Sequence, residues 1–140
     1  MQYHDVRVHP ESDRLPRADQ LAWKIAEVAA DPVAVEESVT DMIINRVIDN
    51  ASVAVASVNR HPAMSARAEA LAHRRADGAT LFGMGPDVRV HAECAAWANG
   101  PAVRELDHHD TFLAAEYSHP GAHIPGTLAV AQPSRRAGAA

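Results

Sequence analysis

The chain has 140 residues, of which 47% are hydrophobic and 4% aromatic, and its formal net charge is −5 at pH 7. This length suits one domain with one core, and the acidic balance excludes the basic stripe that nucleic-acid-binding proteins need. No apolar run approaches the roughly 20 residues of a membrane span, and the one cysteine, Cys94, cannot form an internal disulfide. We therefore expect a cytoplasmic protein that binds neither nucleic acid nor membranes.

The first half of the chain predicts an irregular arm followed by three helices. Residues 1–16 carry two prolines and no sustained periodicity, which is typical of irregular structure. Apolar residues then recur every three to four positions in residues 18–31 and again in residues 35–59. A third helix is predicted from residue 62 to about residue 74, with a proline in its first turn.

The second half predicts a short extended link, a helix with a proline in it, and a final helix. Residues 79–83, ATLFG, are too short for more than one strand or an extended link. Helical spacing returns in residues 89–107, where Pro101 is expected to kink or restart the helix. An apolar helix is predicted in residues 124–132. Because the apolar residues are mainly Ala, Val, Leu and Ile, which favour closely packed helices, the predicted fold class is all-α.

The segment ELDHHDTFLAAEYSHPGAHIP, residues 105–125, concentrates proton-handling side chains. Carboxylates beside imidazoles suit a metal site, acid/base chemistry or a solvated loop. A metal site would use the four histidines His108, His109, His119 and His123. The last two have a spacing common in zinc sites, but Pro120 and Gly121 lie between them. A serine hydrolase is disfavoured because Ser118 lacks the Gly-x-Ser-x-Gly context.

Six blocks of sequence add a resemblance to these patterns. They are QLAWKIAEVAADPV, INRVIDNASVAVASVNRHP, GATLFG, AAWANGPAVRELD, HDTFLAAEYSHPG and LAVAQ. In order and spacing they resemble the N-terminal region of the MmgE/PrpD family. The resemblance implies an arm at residues 1–16, part of the family's helical domain at residues 17–132, and a tail at residues 133–140 outside the family.

The resemblance also implies an activity. Members of this family are cofactor-independent lyases that act on small polycarboxylates, usually as homodimers. One of them, 2-methylcitrate dehydratase, removes water from 2-methylcitrate to give 2-methyl-cis-aconitate in the methylcitrate cycle of propionate catabolism. A related member, cis-aconitate decarboxylase, is the alternative within the family.

The family's active-site pattern is an aspartate, a threonine shortly after it, and a histidine before Pro-Gly. It falls on Asp107, Thr111 and His119, with Asp110 inside the same motif. The resemblance implies that His119 is a general acid/base, that Asp107 contributes to catalysis and substrate binding, and that Asp110 and Thr111 belong to the substrate-binding set, with Asp110 in a supporting hydrogen-bond role. Because Asp107 and Thr111 are four residues apart, a helical turn would place them on one face.

The family is expected to continue for several hundred residues beyond Gln132 and to supply further catalytic residues there. The resemblance therefore implies a truncated N-terminal part that is inactive alone. The competing interpretation is a non-catalytic helical module that associates with itself or with a full-length relative. In either case we expect an exposed apolar face. Arg60 and Arg104 could clamp substrate carboxylates or be solvated charges, and Phe82, Trp97 and Phe112 are expected in the core.

Overall fold

The computed structural model describes residues 4–108, 110–113, 115 and 117–134. The chain divides into two units, residues 1–37 and 38–140. His109 and most of the expected tail, residues 135–140, lie outside the described residues. Within the described part, no helix is both long enough and apolar enough to cross a membrane.

The first unit consists of an arm and one helix. Residues 4–16 contain no helix or strand, Arg17–Asp19 form a single 3-10 turn, and helix α1 spans Leu21–Ala29. Lys24 Nζ on α1 donates to the carbonyl oxygen of Asp5 at 3.1 Å, which ties the arm to the helix. None of the nine described residues of α1 is buried, so the apolar stripe of this helix is exposed.

In its described residues, the second unit contains four further α-helices and two small antiparallel sheets. The elements are α2 (Glu37–Ala56, which begins at the unit boundary), α3 (His61–Leu71), β1 (Arg74–Thr80), β2 (Arg89–Val90), α4 (Ala92–Arg104), β3 (Phe112–Leu113), β4 (Tyr117–Ser118) and α5 (Ile124–Ala131). Strand β1 pairs with β2, and β3 pairs with β4. The predicted all-α fold class is confirmed, since the described residues are mostly helical. Residues 79–83, predicted as one strand or an extended link, overlap the end of β1, which begins at Arg74.

The core of the second unit is built largely from alanine. One cluster joins α3, β1, β2, α4 and α5 and consists of Ala66, Ala70, Ala79, Leu81, Val90, Ala95, Ala98 and Ala129. A second cluster joins α2, α3 and α4 and consists of Ala54, Ala63, Ala102 and Val103. Small side chains let helix backbones approach closely, and α4 packs against both α3 and α5.

Helix α4 continues through Pro101 and does not restart there. Buried polar side chains satisfy backbone groups at the end of this helix and beside it. Ser57 Oγ donates to the carbonyl of Ala102 at 2.7 Å, which satisfies an acceptor in the last turn. Asn99 accepts from the amide of Phe82 at 2.9 Å and donates to the carbonyl of Thr80 at 3.0 Å, fixing the chain after β1 on α4.

Two of the three aromatic residues expected in the core lie outside it. Trp97 is 66% exposed and Phe112 is 49% exposed, whereas Phe82 is partly buried against the second core cluster. Helix α2 also exposes large apolar side chains. It buries Asn50 and Ala54, while Ile43 and others of its larger apolar side chains are exposed. Alanine makes up most of the core of the second unit, while larger apolar side chains of α2 are exposed.

Candidate active site

The segment from residue 105 to residue 125 folds as a turn and a short hairpin in its described part. Asp107 follows the end of α4 with φ 53°, and Phe112 and Ser118 pair across β3 and β4. A 3-10 turn over Pro120–Ala122 then leads into α5. The helical turn expected to align Asp107 with Thr111 is not formed, because the described residues between them are not helical.

The hairpin places His119 beside Thr111 and Asp110. His119 Nδ1 lies 3.3 Å from Thr111 Oγ1 and 3.1 Å from the carbonyl oxygen of Asp110. The rings of Tyr117 and His119 are in a T-shaped arrangement, with 6.3 Å between ring centroids and an interplanar angle of 72°. His119 is half-buried, so these contacts hold a side chain that is partly shielded from solvent.

The carboxylate of Asp110 is the buried charge of this cluster, with its side chain 2% exposed. The backbone amide of Gly121 donates to Oδ1 at 2.9 Å. Arg46 Nη1 on α2 lies 3.4 Å from Oδ2, which is an ion pair without hydrogen-bond geometry. A buried carboxylate needs such compensation, so Asp110 ties the start of the hairpin to α2 and to the turn after His119.

Gly121 lies where a side chain would not fit. A Cβ atom there would stand 2.5 Å from Asn50 Oδ1, 3.1 Å from Val103 Cγ1 and 3.3 Å from Asp110 Oδ1. Asn50 is fully buried on α2, and its Nδ2 donates to the carbonyl of Arg46 at 2.7 Å. Helices α2 and α4 therefore meet the turn after His119 at this glycine.

Asp107 has a different environment from Asp110. Its side chain is 83% exposed, and Oδ1 lies 3.6 Å from Arg104 Nη2, one turn earlier in the chain. The other candidate clamp, Arg60, pairs with Glu105 at 3.2 Å. Both arginines thus contact carboxylates of their own chain, and Asp107 is positioned to meet solvent or a ligand.

The remaining histidines of the segment are exposed where they are described. His108 and His123 both face solvent, and the carbonyl of His123 accepts from the amide of Thr127 at 3.0 Å at the start of α5. Among the described residues, no three or more His, Cys, Asp or Glu side chains are arranged to hold a metal ion. The metal alternative thus gains no support from this part of the chain.

The MmgE/PrpD N-terminal domain family matches residues 19–140. The chain belongs to the MmgE/PrpD family. The match covers helices α1 to α5 and the whole histidine-rich segment, and it extends through residues 133–140, which the sequence analysis placed outside the family. No solved structure matches the chain.

An apolar groove of about 490 Å³ lies beside the His119 cluster in this MmgE/PrpD domain. Helix α2 and helix α5 form its walls, and its lining residues are Met42, Ile43, Arg46, Val47, Phe112, Ser118, Pro120, His123, Ile124, Thr127 and Leu128. Among the described lining residues, Arg46 is the one Lys, Arg, Asp or Glu, and its guanidinium pairs with Asp110. The groove therefore suits apolar surface.

Three residues that hold the cluster of Asp110, Thr111 and His119 in place were not among the predicted site residues. They are Arg46, Asn50 and Gly121. Arg46 and Asn50 lie one helical turn apart within the resembling block INRVIDNASVAVASVNRHP. Helix α2 also carries other polar residues, such as Asn45 and Asp49, so the spacing of Arg46 and Asn50 did not single them out. Their partner in the distant hairpin could be identified only from the folded chain.

We expect Gly121→Ala to lower the free energy of unfolding by about 1–3 kcal/mol, the usual cost of overpacking. The added methyl group would displace the turn after His119 from Asn50 and Asp110. Urea denaturation followed by circular dichroism measures this change. The matched control is Gly126→Ala in α5, where no atom lies within 4 Å of an added Cβ, and it should be neutral or slightly stabilising. Equal stabilities for the two variants would contradict the packing argument.

Proposed function

We propose that the chain is the N-terminal part of a cofactor-independent hydro-lyase that converts 2-methylcitrate into 2-methyl-cis-aconitate and water in propionate catabolism. The observation that carries the proposal is the position of His119. Its Nδ1 lies 3.1 Å from the Asp110 carbonyl oxygen and 3.3 Å from the Thr111 hydroxyl oxygen, in the segment to which the family's active-site pattern maps. Membership of the MmgE/PrpD family supports the same reaction class.

In this proposal His119 handles the proton and its neighbours hold the substrate. Dehydration removes a proton from one carbon, breaks the C–O bond on the next and releases the hydroxyl group as water after it is protonated. His119 acts as the general acid/base. The Thr111 hydroxyl donates to a carboxylate of the substrate, and the exposed Asp107 carboxylate accepts from the substrate hydroxyl group. Asp110 has a structural role, because its buried carboxylate pairs with Arg46 and accepts from the amide of Gly121.

We propose further that the substrate is a small polycarboxylate. The active enzyme is proposed to be a homo-oligomer located in the cytoplasm. The resemblance to MmgE/PrpD enzymes is the main support for these statements. The apolar side chains that α2 exposes, among them Met42, Ile43 and Ile44, support the association because apolar surface of this extent favours contact with another protein surface.

The test compares the 140-residue chain with the same chain joined to the C-terminal part of an MmgE/PrpD relative. We expect little or no dehydration of 2-methylcitrate by the chain alone, because the resemblance places further acid/base residues beyond these residues. The joined protein should form the conjugated product, which ultraviolet absorbance detects. Release of carbon dioxide from cis-aconitate would instead identify a decarboxylase. A folded joined protein without either activity would favour the non-catalytic helical module.

A further inference from the structure

The contacts of His119 fix which ring nitrogen carries hydrogen when the imidazole is neutral. Nδ1 lies 3.1 Å from the carbonyl oxygen of Asp110, and a carbonyl oxygen can only accept. Nδ1 is therefore the protonated nitrogen in this bond, and the Thr111 hydroxyl oxygen, 3.3 Å away, can share the same hydrogen. The lone pair of the neutral ring is then on Nε2, which makes Nε2 the proton-accepting atom.

Asp110 determines this geometry through two different groups. Its backbone carbonyl contacts the ring of His119, while its carboxylate accepts from the amide of Gly121, two residues after that histidine. Asp110 thus contacts His119 directly at the ring and also fixes the backbone two residues later, at Gly121. If the carboxylate loses its partners and the Asp110 backbone shifts, the carbonyl that contacts the ring of His119 shifts with it.

Arg46 is the cation that compensates this buried carboxylate. Its Nη1 lies 3.4 Å from Asp110 Oδ2, and its side chain is 31% exposed. The backbone of α2 at this point is fixed in turn by Asn50, whose Nδ2 donates to the Arg46 carbonyl at 2.7 Å. Without the guanidinium, the carboxylate would tend to turn towards water, because a buried charge without a cationic partner is unfavourable.

We propose that Arg46 is a positioning residue that sets the orientation and the Nδ1–H tautomer of His119 through Asp110. The catalytic meaning of this inference rests on the proposed acid/base role of His119. In this proposal Arg46 contacts no reacting atom. It pairs with the Asp110 carboxylate, and Asp110 in turn contacts His119 and Gly121.

The experiment is nitrogen-15 NMR of histidine side chains in the 140-residue chain, at a pH at which imidazole is neutral. The signals of His119 are assigned by their loss in His119→Gln. In the native chain we expect the shifts of an Nδ1–H tautomer. In Arg46→Ala they should move to the averaged values of a solvent-exposed histidine, and in Arg46→Lys, which retains a cation, most of that shift should be reversed.

The matched control is Arg104→Ala, which removes an arginine paired with the exposed Asp107 and should leave the His119 signals unchanged. Native Nε2–H signals, or unchanged His119 signals in folded Arg46→Ala, would overturn the inference. If Arg46→Ala does not fold, Asp110→Asn replaces it, because this change removes the charge pair while keeping an acceptor for Gly121. It should shift the His119 signals in the same direction, and unchanged signals would overturn the inference.

An activity measurement in the joined protein separates this inference from the proposed function. Arg46→Ala should lower kcat by about 100-fold with little change in KM, since a displaced catalytic group loses the benefit of orientation. A changed tautomer with full kcat would leave the positioning role intact and reject His119 as the acid/base. A lost kcat with an unchanged tautomer would reject the positioning role.

Discussion

Replacing His119 by alanine in the joined protein is expected to lower kcat by about 10²–10⁴-fold, the usual contribution of a positioned general acid or base. The KM should change little, because the proposal assigns substrate binding to Asp107 and Thr111. Initial rates of 2-methylcitrate dehydration, measured over a range of substrate concentrations, separate the two parameters. Thr111→Ala should raise KM as well as lower kcat, because a misaligned substrate loses orientation.

The internal controls for His119 are His108→Ala and His123→Ala. Both side chains are exposed, and neither has a proton-transfer role in the proposal, so both variants should keep most of the activity. A chelator should also leave the rate unchanged. The assignment would fail if His119→Ala kept full kcat while His123→Ala lost it, or if the chelator abolished turnover, since either result would favour a histidine-metal site.

Replacing Asp110 by alanine is expected to lower the free energy of unfolding of the 140-residue chain by about 2–4 kcal/mol. Breaking a buried ion pair costs about 3–5 kcal/mol, and the partial exposure of Arg46 reduces that cost. The variant also removes the acceptor of the Gly121 amide. Urea denaturation gives the value, and the double variant with Arg46→Ala shows whether the two losses are coupled.

The matched control for Asp110 is Asp107→Asn. Asparagine tolerates the positive φ of 53° at this position, so the change removes the charge without adding backbone strain. Asp107 is 83% exposed and its pair with Arg104 lies at the surface, so the stability should change by less than about 1 kcal/mol. In the joined protein the same variant should weaken substrate binding. A stability loss as large as that of Asp110→Ala would show that Asp107 is structural.

The residues of the site could be predicted from the sequence only in part. The motif placed Thr111 and His119 in one segment, and the structure brings them into contact. The expected alignment of Asp107 with Thr111 on a helix was wrong, because α4 ends at Arg104 and the chain then turns and pairs as a hairpin. Residues four apart share a face only in a helix, so their spacing does not predict alignment where the backbone is not helical.

The sequence by itself determined the helices, because their apolar periodicity and their prolines are local properties of the chain. It did not determine which face of α2 is buried, since burial depends on the residues that pack against that helix. Only the tertiary structure turned Asn50 and Ala54 inwards and left Ile43 exposed. Likewise, only folding paired Arg46 with Asp110, because an ion pair between distant segments requires that both be brought to the same buried place before their charges attract strongly.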